Sequence, residues 1–151
     1  MNKSAKKVLL AVGAIFLILQ LIPVEKTNPP VTGKIVTDAA VEGILKKSCY
    51  DCHSNETQWP WYASIAPVSF LVAHDVEEGR EHLNFSRWQS YSPEKQRNLI
   101  SEMLEEVEKG EMPLYIYTLM HGDAEISETD LKILKKWVEK ESGMSDSADL
   151  N

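Results

Sequence analysis

The chain has 151 residues, a length that suits one globular domain. Hydrophobic residues make up 43% and charged residues 26%, which excludes a disordered chain, a collagen-like fibre and a multi-span membrane protein. The net charge of −7 divides into +3 on residues 1–24 and −10 on the remainder. Because an acidic body repels phosphate backbones, we expect no nucleic-acid partner. The presence of only two cysteines excludes a disulfide-rich scaffold.

The N-terminus carries an apolar segment. Residues 8–24 contain no charged side chain and follow Lys3, Lys6 and Lys7. A basic stretch before an apolar one is typical of an export signal. The end of the segment lacks a small-x-small cleavage site, so we predict that residues 1–24 form a single transmembrane helix that anchors the chain in the lipid bilayer. A signal peptide that is cleaved after export is the alternative. The lysines predict a cytoplasmic N-terminus, with the remaining chain on the periplasmic face of the cell inner membrane.

Three further segments follow the anchor. Residues 25–36 hold two prolines and a glycine and are predicted to be a linker. Residues 37–141 are predicted to form one domain, and residues 142–151 a polar, flexible tail.

Helix signals recur along the predicted domain. Three apolar-periodic segments are each preceded by a residue of a type that caps helix N-termini. These capping residues are Asp38, Ser92 and Ser127. A further helix is predicted over residues 68–82, and Gly110 is expected to end the helix that starts after Ser92. Because no segment alternates apolar and polar residues at period two, the predicted fold class is all-α.

One pentapeptide carries recognisable chemistry. Residues 49–53 read Cys-Tyr-Asp-Cys-His, which is C-x-x-C-H, the attachment signature of c-type haem. Cysteines at this spacing let both thiols reach one edge of a flat macrocycle and form two thioethers, while the adjacent His53 ligates the iron. We therefore predict one covalent haem c per chain, held by Cys49, Cys52 and His53. The export signal agrees with this, because bacteria attach c-type haem outside the cytoplasmic membrane.

Three other interpretations of the cysteine pair compete with haem attachment. A thioredoxin-like redox pair would follow a strand, and no strand is predicted before Cys49. A structural zinc site needs four ligands, but the chain offers one cysteine pair and histidines without zinc-finger spacing. A simple disulfide between Cys49 and Cys52 is the remaining alternative.

Several segments resemble a known family. Residues 28–31, 48–62, 75–88 and 110–124, together with a closing helix at 134–137, are similar to the haem-binding domain family of bacterial membrane-anchored monohaem proteins. The resemblance covers about residues 28–140. It implies a cytochrome-c-like bundle of short helices around one haem.

The sixth ligand of the iron would come from another part of the chain. Met112 stands between a helix-ending glycine and a proline, in a loop of the kind from which small cytochromes present a distal methionine. We predict Met112 as the distal metal ligand, although methionines also fill gaps in cores. The alternatives are Met120, His74 and His121. Met103 is predicted to belong to the core.

Other polar residues near the motif are candidates for secondary roles. Arg80 and Trp88 can donate hydrogen bonds to haem propionates, although an ordinary polar cluster at a helix end would look the same. His82, close to two glutamates, is expected to be solvated. The acidic run over residues 102–111 is expected to be a solvated face or a partner-docking surface.

Together these features predict a membrane-anchored monohaem c-type cytochrome. It would transfer single electrons to a redox partner protein in the periplasm or membrane and would not be an enzyme. The alternatives are a haem-based sensor or gas-binding module, with an open sixth site, and a small haem peroxidase, which would need a distal acid–base histidine.

Overall fold

The computed structural model describes residues 2–143, so most of the predicted flexible tail lies outside the described residues. Within that range the chain forms seven α-helices joined by turns and short 3₁₀ segments: α1 Lys3–Leu19, α2 Ala39–Ser48, α3 Tyr50–His53, α4 Val68–His82, α5 Pro93–Lys109, α6 Tyr115–Met120 and α7 Glu128–Glu141. The β-pairing in this part of the chain is a single bridge between Gly33 and Arg87. The all-α prediction is confirmed.

The predicted capping residues begin and end the helices as expected. The Asp38 carboxylate accepts hydrogen bonds from two backbone N–H groups at the start of α2. Ser92 caps α5, and Gly110 ends that helix with a left-handed φ of 74° that favours glycine. Ser127 and Asp130 form a reciprocal capping box at the start of α7.

One apolar core joins α2, α5 and α7 to the loop that follows α4. Its buried members are Val41, Ile44, Leu45, Tyr50, Leu83, Phe85, Leu99, Ile100, Leu134, Trp137 and Val138. The Tyr50 ring stacks on Phe85, with 5.4 Å between ring centroids. Tyr50 lies inside the C-x-x-C-H pentapeptide, so the motif itself is fixed to the core.

The predicted transmembrane helix receives no support. The apolar part of α1, from Val8 to Leu19, measures about 18 Å at 1.5 Å per residue, whereas a hydrocarbon core is about 30 Å thick. No helix within residues 2–143 combines the length and the apolar character needed to cross a membrane. The helix stops where Gln20 turns toward Ala66: the side-chain amide donates to the Ala66 carbonyl at 3.1 Å and accepts from the Ala66 N–H at 3.0 Å.

The segment predicted to be a linker lies against the domain. Within residues 25–36, the Gly33 N–H donates to the Ser86 carbonyl at 3.0 Å and the Ile35 N–H donates to the Phe85 carbonyl at 2.9 Å. These bonds hold the second half of the segment beside the loop after α4. The domain boundary at residue 37 stays a prediction.

Candidate haem site

The motif occupies a break between two helices. The Cys49 N–H donates to the Leu45 carbonyl at 2.9 Å and so ends α2, and the Cys49 carbonyl accepts from the N–H groups of Cys52 and His53 in α3. The backbone at Cys49 leaves helical geometry, with φ −126° and ψ −35°. This break turns the short helix α3 away from the axis of α2.

All three predicted attachment residues line the same cavity. Cys49, Cys52 and His53 form part of the wall of a cavity of about 620 Å³. That volume lies within the roughly 300–1,000 Å³ of small-molecule and cofactor pockets. The other walls come from α4, α5, the loop that contains Met112, and one side of α6.

The His53 ring is oriented by two backbone carbonyls. Its Nδ1 lies 2.8 Å from the carbonyl oxygen of Gly79 and 3.2 Å from that of Leu83. Because only a protonated Nδ1 can donate to these oxygens, Nε2 carries the lone pair and is the atom available to a metal. Burial lowers the pKa of His53 below its usual value, which favours this neutral form.

Gly79 also allows α4 to approach the motif closely. A Cβ atom at this position would lie 2.8 Å from the carbonyl oxygen of Cys52 and 3.1 Å from its Cβ. Only glycine fits without moving one of the two segments. A glycine inside a helical pattern commonly has a packing reason of this kind, so Gly79 is the sequence signal that could have indicated the contact.

The thiols do not resemble those of a thioredoxin-like redox site. Burial is the main cause that raises the pKa of both Cys49 and Cys52 to about 12, whereas thioredoxin-like sites lower a cysteine pKa. Both cysteines are free thiols rather than partners in a disulfide. Within residues 2–143, no group of three or more His, Cys, Asp or Glu side chains is placed to hold a metal ion, so the zinc alternative gains no ligands.

One of the four distal candidates lines the cavity. Met112 shares it with the three attachment residues. Met120 is 56% exposed on α6, and the His74 side chain is 61% exposed, with its Nε2 3.5 Å from a Glu78 carboxylate oxygen. His121 stacks on an aromatic ring of α6 outside the cavity lining. The geometry therefore places Met112 and His53 around the same space.

Comparison with protein families identifies the domain. A model of the haem-binding domain family matches residues 14–140. The chain belongs to this haem-binding domain family. The match extends further toward the N-terminus than the resemblance noted from the sequence and includes the end of α1. No curated protein and no solved structure matches the chain.

Two predicted propionate partners, Arg80 and Trp88, do not line this cavity. Arg80 lies on the opposite face of α4, where its guanidinium donates to the carbonyl oxygens of Ser54 at 2.8 Å and Thr27 at 2.9 Å. The Trp88 ring packs between aromatic rings of the core and does not line the cavity. Neither residue is among those that line this cavity, and their role as propionate partners stays a prediction.

Two further potential iron ligands line the cavity. Met103 of α5 and His82 of α4 both reach its wall. The sequence predicts core packing for Met103, which lies on the apolar stripe of its helix. It predicts solvent exposure for His82, which is close to two glutamates in the sequence. Only the way in which α4 and α5 face each other across the cavity brings them to this space.

The ionisable groups of the cavity wall are mainly acidic, although most of its surface is apolar. None of the lining residues is lysine or arginine, and five are carboxylates: Asp51, Asp75, Glu78, Glu102 and Glu106. This wall would offer no lysine or arginine to pair with the propionates of a bound haem. Two of the five belong to the acidic run that the sequence analysis singled out.

Proposed function

We propose that the domain binds haem covalently and transfers single electrons. The observation that carries this proposal is that Cys49, Cys52 and His53 share one cavity wall while the His53 Nδ1 is held by backbone carbonyls. Haem supplies reversible exchange between ferrous and ferric iron. The chain contributes the two thiols, a neutral imidazole with a free Nε2 and a cavity of suitable size.

Met112 is proposed as the distal ligand. It lies in the cavity lining, and a thioether is a soft, neutral ligand that stabilises ferrous iron. A filled sixth position leaves no site for a substrate or gas, which supports an electron carrier rather than an enzyme or sensor. The acidic cavity wall supports a redox partner whose docking surface is positively charged.

Covalent attachment is tested by denaturing electrophoresis. The chain, expressed with a c-type maturation system, should retain haem after denaturation and give a haem stain. The double variant Cys49→Ala, Cys52→Ala should lose the stain, whereas Ser48→Ala, which also changes a residue of the cavity wall, should keep it. Haem that is extracted from the wild type into acidic acetone would exclude thioether attachment.

The distal ligand is tested by visible spectroscopy of the ferric protein. Methionine ligation gives a weak band near 695 nm, as in cytochromes generally. We expect Met112→Ala to remove this band and produce high-spin or water-ligated iron, and Met112→His to keep six-coordinate iron with a lower reduction potential. Met120→Ala should leave the spectrum unchanged.

The other cavity residues provide the decisive comparison. Loss of the band in Met103→Leu, or a spin change in His82→Gln, with Met112→Ala unaffected, would assign the distal ligand to α5 or α4. A wild-type ferric protein that is already high-spin would instead favour the sensor or gas-binding module.

We also propose that residues 8–24 attach the chain to the cell inner membrane, with the haem domain on the periplasmic side. The support is the basic N-terminus and the exposure of the apolar side chains of α1. A reporter that is active only in the periplasm, fused after the C-terminus, should be active, and the chain should remain with membranes after alkaline carbonate extraction. Recovery of the whole chain in the soluble fraction would disprove attachment.

A further inference from the structure

A second apolar surface lies outside the core and the haem cavity. We define the apolar face by eight exposed large side chains, which are between 39% and 76% exposed: Trp61, Ile65, Val68, Leu71, Tyr115, Ile116, Leu119 and Met120. In α4, Val68 and Leu71 are three residues apart, so they lie on one side of the helix. In α6 the spacing of the four residues also puts them on one side, while Leu114 and Tyr117 face the haem cavity.

The apolar face is also free of charge. Residues 59–73 and 112–120 contain no Asp, Glu, Lys, Arg or His, in a chain of which 26% is charged. Soluble proteins rarely expose so many large apolar side chains in neighbouring segments without a partner that covers them. The composition of the face therefore points to an apolar partner.

Hydrogen bonds join the segments of this face to each other. The Tyr62 hydroxyl lies 2.8 Å from Nε2 of His121, which connects the turn after Trp61 to the end of α6. Gln20, at the end of α1, makes its two bonds to Ala66 just before α4. The exposed apolar helix α1 therefore ends directly beside the apolar face.

We propose that the apolar face lies on a lipid bilayer, at the boundary between headgroups and acyl chains. This inference rests on the proposed attachment through residues 8–24, because the same medium would then cover both α1 and the surface at its end. Trp61 and Tyr115 are the aromatic types enriched at this boundary, and the absence of carboxylates from both segments avoids repulsion by anionic headgroups.

A second copy of the chain is a less suitable occupant. It would have to cover both the apolar face and the exposed residues of α1, which extends away from the domain. A bilayer covers both at once without requiring complementary shape. A lipid bilayer is therefore the proposed partner of the apolar face.

Photochemical labelling tests the contact directly. The full haem-loaded chain is reconstituted in vesicles of phosphatidylethanolamine and phosphatidylglycerol that contain a lipid with a diazirine in its acyl chain. After illumination, mass spectrometry should find lipid adducts in residues 8–24, 59–73 and 112–120, and none in α5 or α7.

Two variants and a matched control sharpen the test. Val68→Asp and Leu119→Asp should each lose adducts from 59–73 and 112–120 while adducts in 8–24 persist. Asn98→Asp adds the same charge at an exposed position of α5 and should change nothing. An unchanged Soret band in all three variants would show that the haem domain is intact.

The outcomes separate this inference from the proposed attachment. Adducts confined to residues 8–24 would overturn lipid contact by the apolar face and leave the attachment standing. Adducts on the face but not in 8–24 would support the inference and refute attachment by that segment. Absence of lipid adducts on the face, together with chain-to-chain crosslinks through its residues after treatment with a bifunctional reagent, would show that a second copy covers it and would overturn the inference.

Discussion

The hydroxyl of Tyr117 donates a 2.8 Å hydrogen bond to Oδ2 of Asp51, the residue between Tyr50 and Cys52 in the attachment motif. The other carboxylate oxygen of Asp51 accepts from the Gln58 N–H at 2.9 Å. Tyr117 lies in the helix that follows Met112 within a few residues. A single hydrogen bond therefore connects the segment that carries the proposed distal ligand to the segment that holds the proximal one.

Removing this hydrogen bond should loosen the distal side of the site. Tyr117→Phe leaves Asp51 with one fewer partner, and a partly buried bond to a carboxylate contributes about 1.5–3 kcal/mol. We expect the free energy of unfolding, measured with urea, to fall by about 1–2 kcal/mol and the 695 nm band to weaken. Tyr115→Phe is the control, because this tyrosine of the same helix is 76% exposed. Equal effects of the two variants would show that the bond does not position the loop.

Adding a methyl group at Gly79 should separate α4 from the motif. The new Cβ would lie 2.8 Å from the Cys52 carbonyl oxygen, so one backbone must move, and the hydrogen bond from His53 to the Gly79 carbonyl would be strained. We expect Gly79→Ala to lower the free energy of unfolding by about 1–3 kcal/mol. Thermal unfolding by circular dichroism measures this change.

Gly43 provides the matched control for that substitution. It is exposed in α2, and a Cβ there would meet no atom within 4 Å. Gly43→Ala should therefore stabilise the chain by about 0.5–1 kcal/mol, because alanine is the better helix former. Destabilisation by both substitutions would argue against close approach as the cause at Gly79.

The cavity carboxylates should lower the reduction potential. Negative charge near the iron stabilises the ferric form, so Glu102→Gln and Glu106→Gln should each raise the potential. A unit charge about 10 Å from the iron, in a partly aqueous environment, corresponds to roughly 20–30 mV. Spectroelectrochemical titration at low ionic strength measures the shift. Glu94→Gln, at the exposed start of α5, should shift the potential less, and an equal shift would assign the effect to net charge alone.

Acid should weaken the connection between α2 and α7. Lys47 Nζ lies 2.8 Å from Oδ2 of Asp130, and the hydrogen bond from Lys47, followed by that from Ser127, lowers the pKa of Asp130 from 3.8 to about 2. Because the folded-state pKa is the lower one, the stabilisation is present above about pH 4 and is lost as the pH falls toward 2. Asp130→Asn should cost about 1 kcal/mol at pH 7 and little at pH 2.

Urea unfolding at several pH values from 7 to 2 measures this dependence. Asp123→Asn, at an exposed position before α7, serves as the control and should cost little at any pH. A constant cost of Asp130→Asn across the range would place its role in the capping box rather than in the ion pair.

The sequence predicts well those helix ends that are fixed by contacts between residues close together in the chain. Asp38, Ser92 and Ser127 satisfy N–H groups of their own helices, and Gly110 adopts the left-handed conformation that ends α5. These contacts span only a few residues, so composition and spacing suffice to locate them. The C-x-x-C-H motif is local in the same sense, which is why its place in a cavity could be anticipated.

The rest of the site depends on contacts between distant segments. The carbonyls that orient His53 come from residues 26 and 30 positions later, and nothing in the type of residue at 83 marks its carbonyl as an acceptor. The type of residue at position 80 does not reveal that Arg80 makes its hydrogen bonds to the segments around Thr27 and Ser54. Helix α1 ends at Leu19, before the predicted end at residue 24, because hydropathy alone does not register the contact between Gln20 and Ala66.

The hydrogen bonds of Arg80 fasten the segment after α1 to the haem-binding domain. One guanidinium holds Thr27 and Asn28, just after the apolar segment, against Ser54 and Thr57, just after the motif. In a membrane-attached chain, these bonds prevent the domain from acting as a swinging arm on a loose tether. If the chain is attached to a membrane as proposed, the fold would hold the domain at a fixed height and tilt, and an encounter with a proposed redox partner would depend on lateral diffusion of the two proteins.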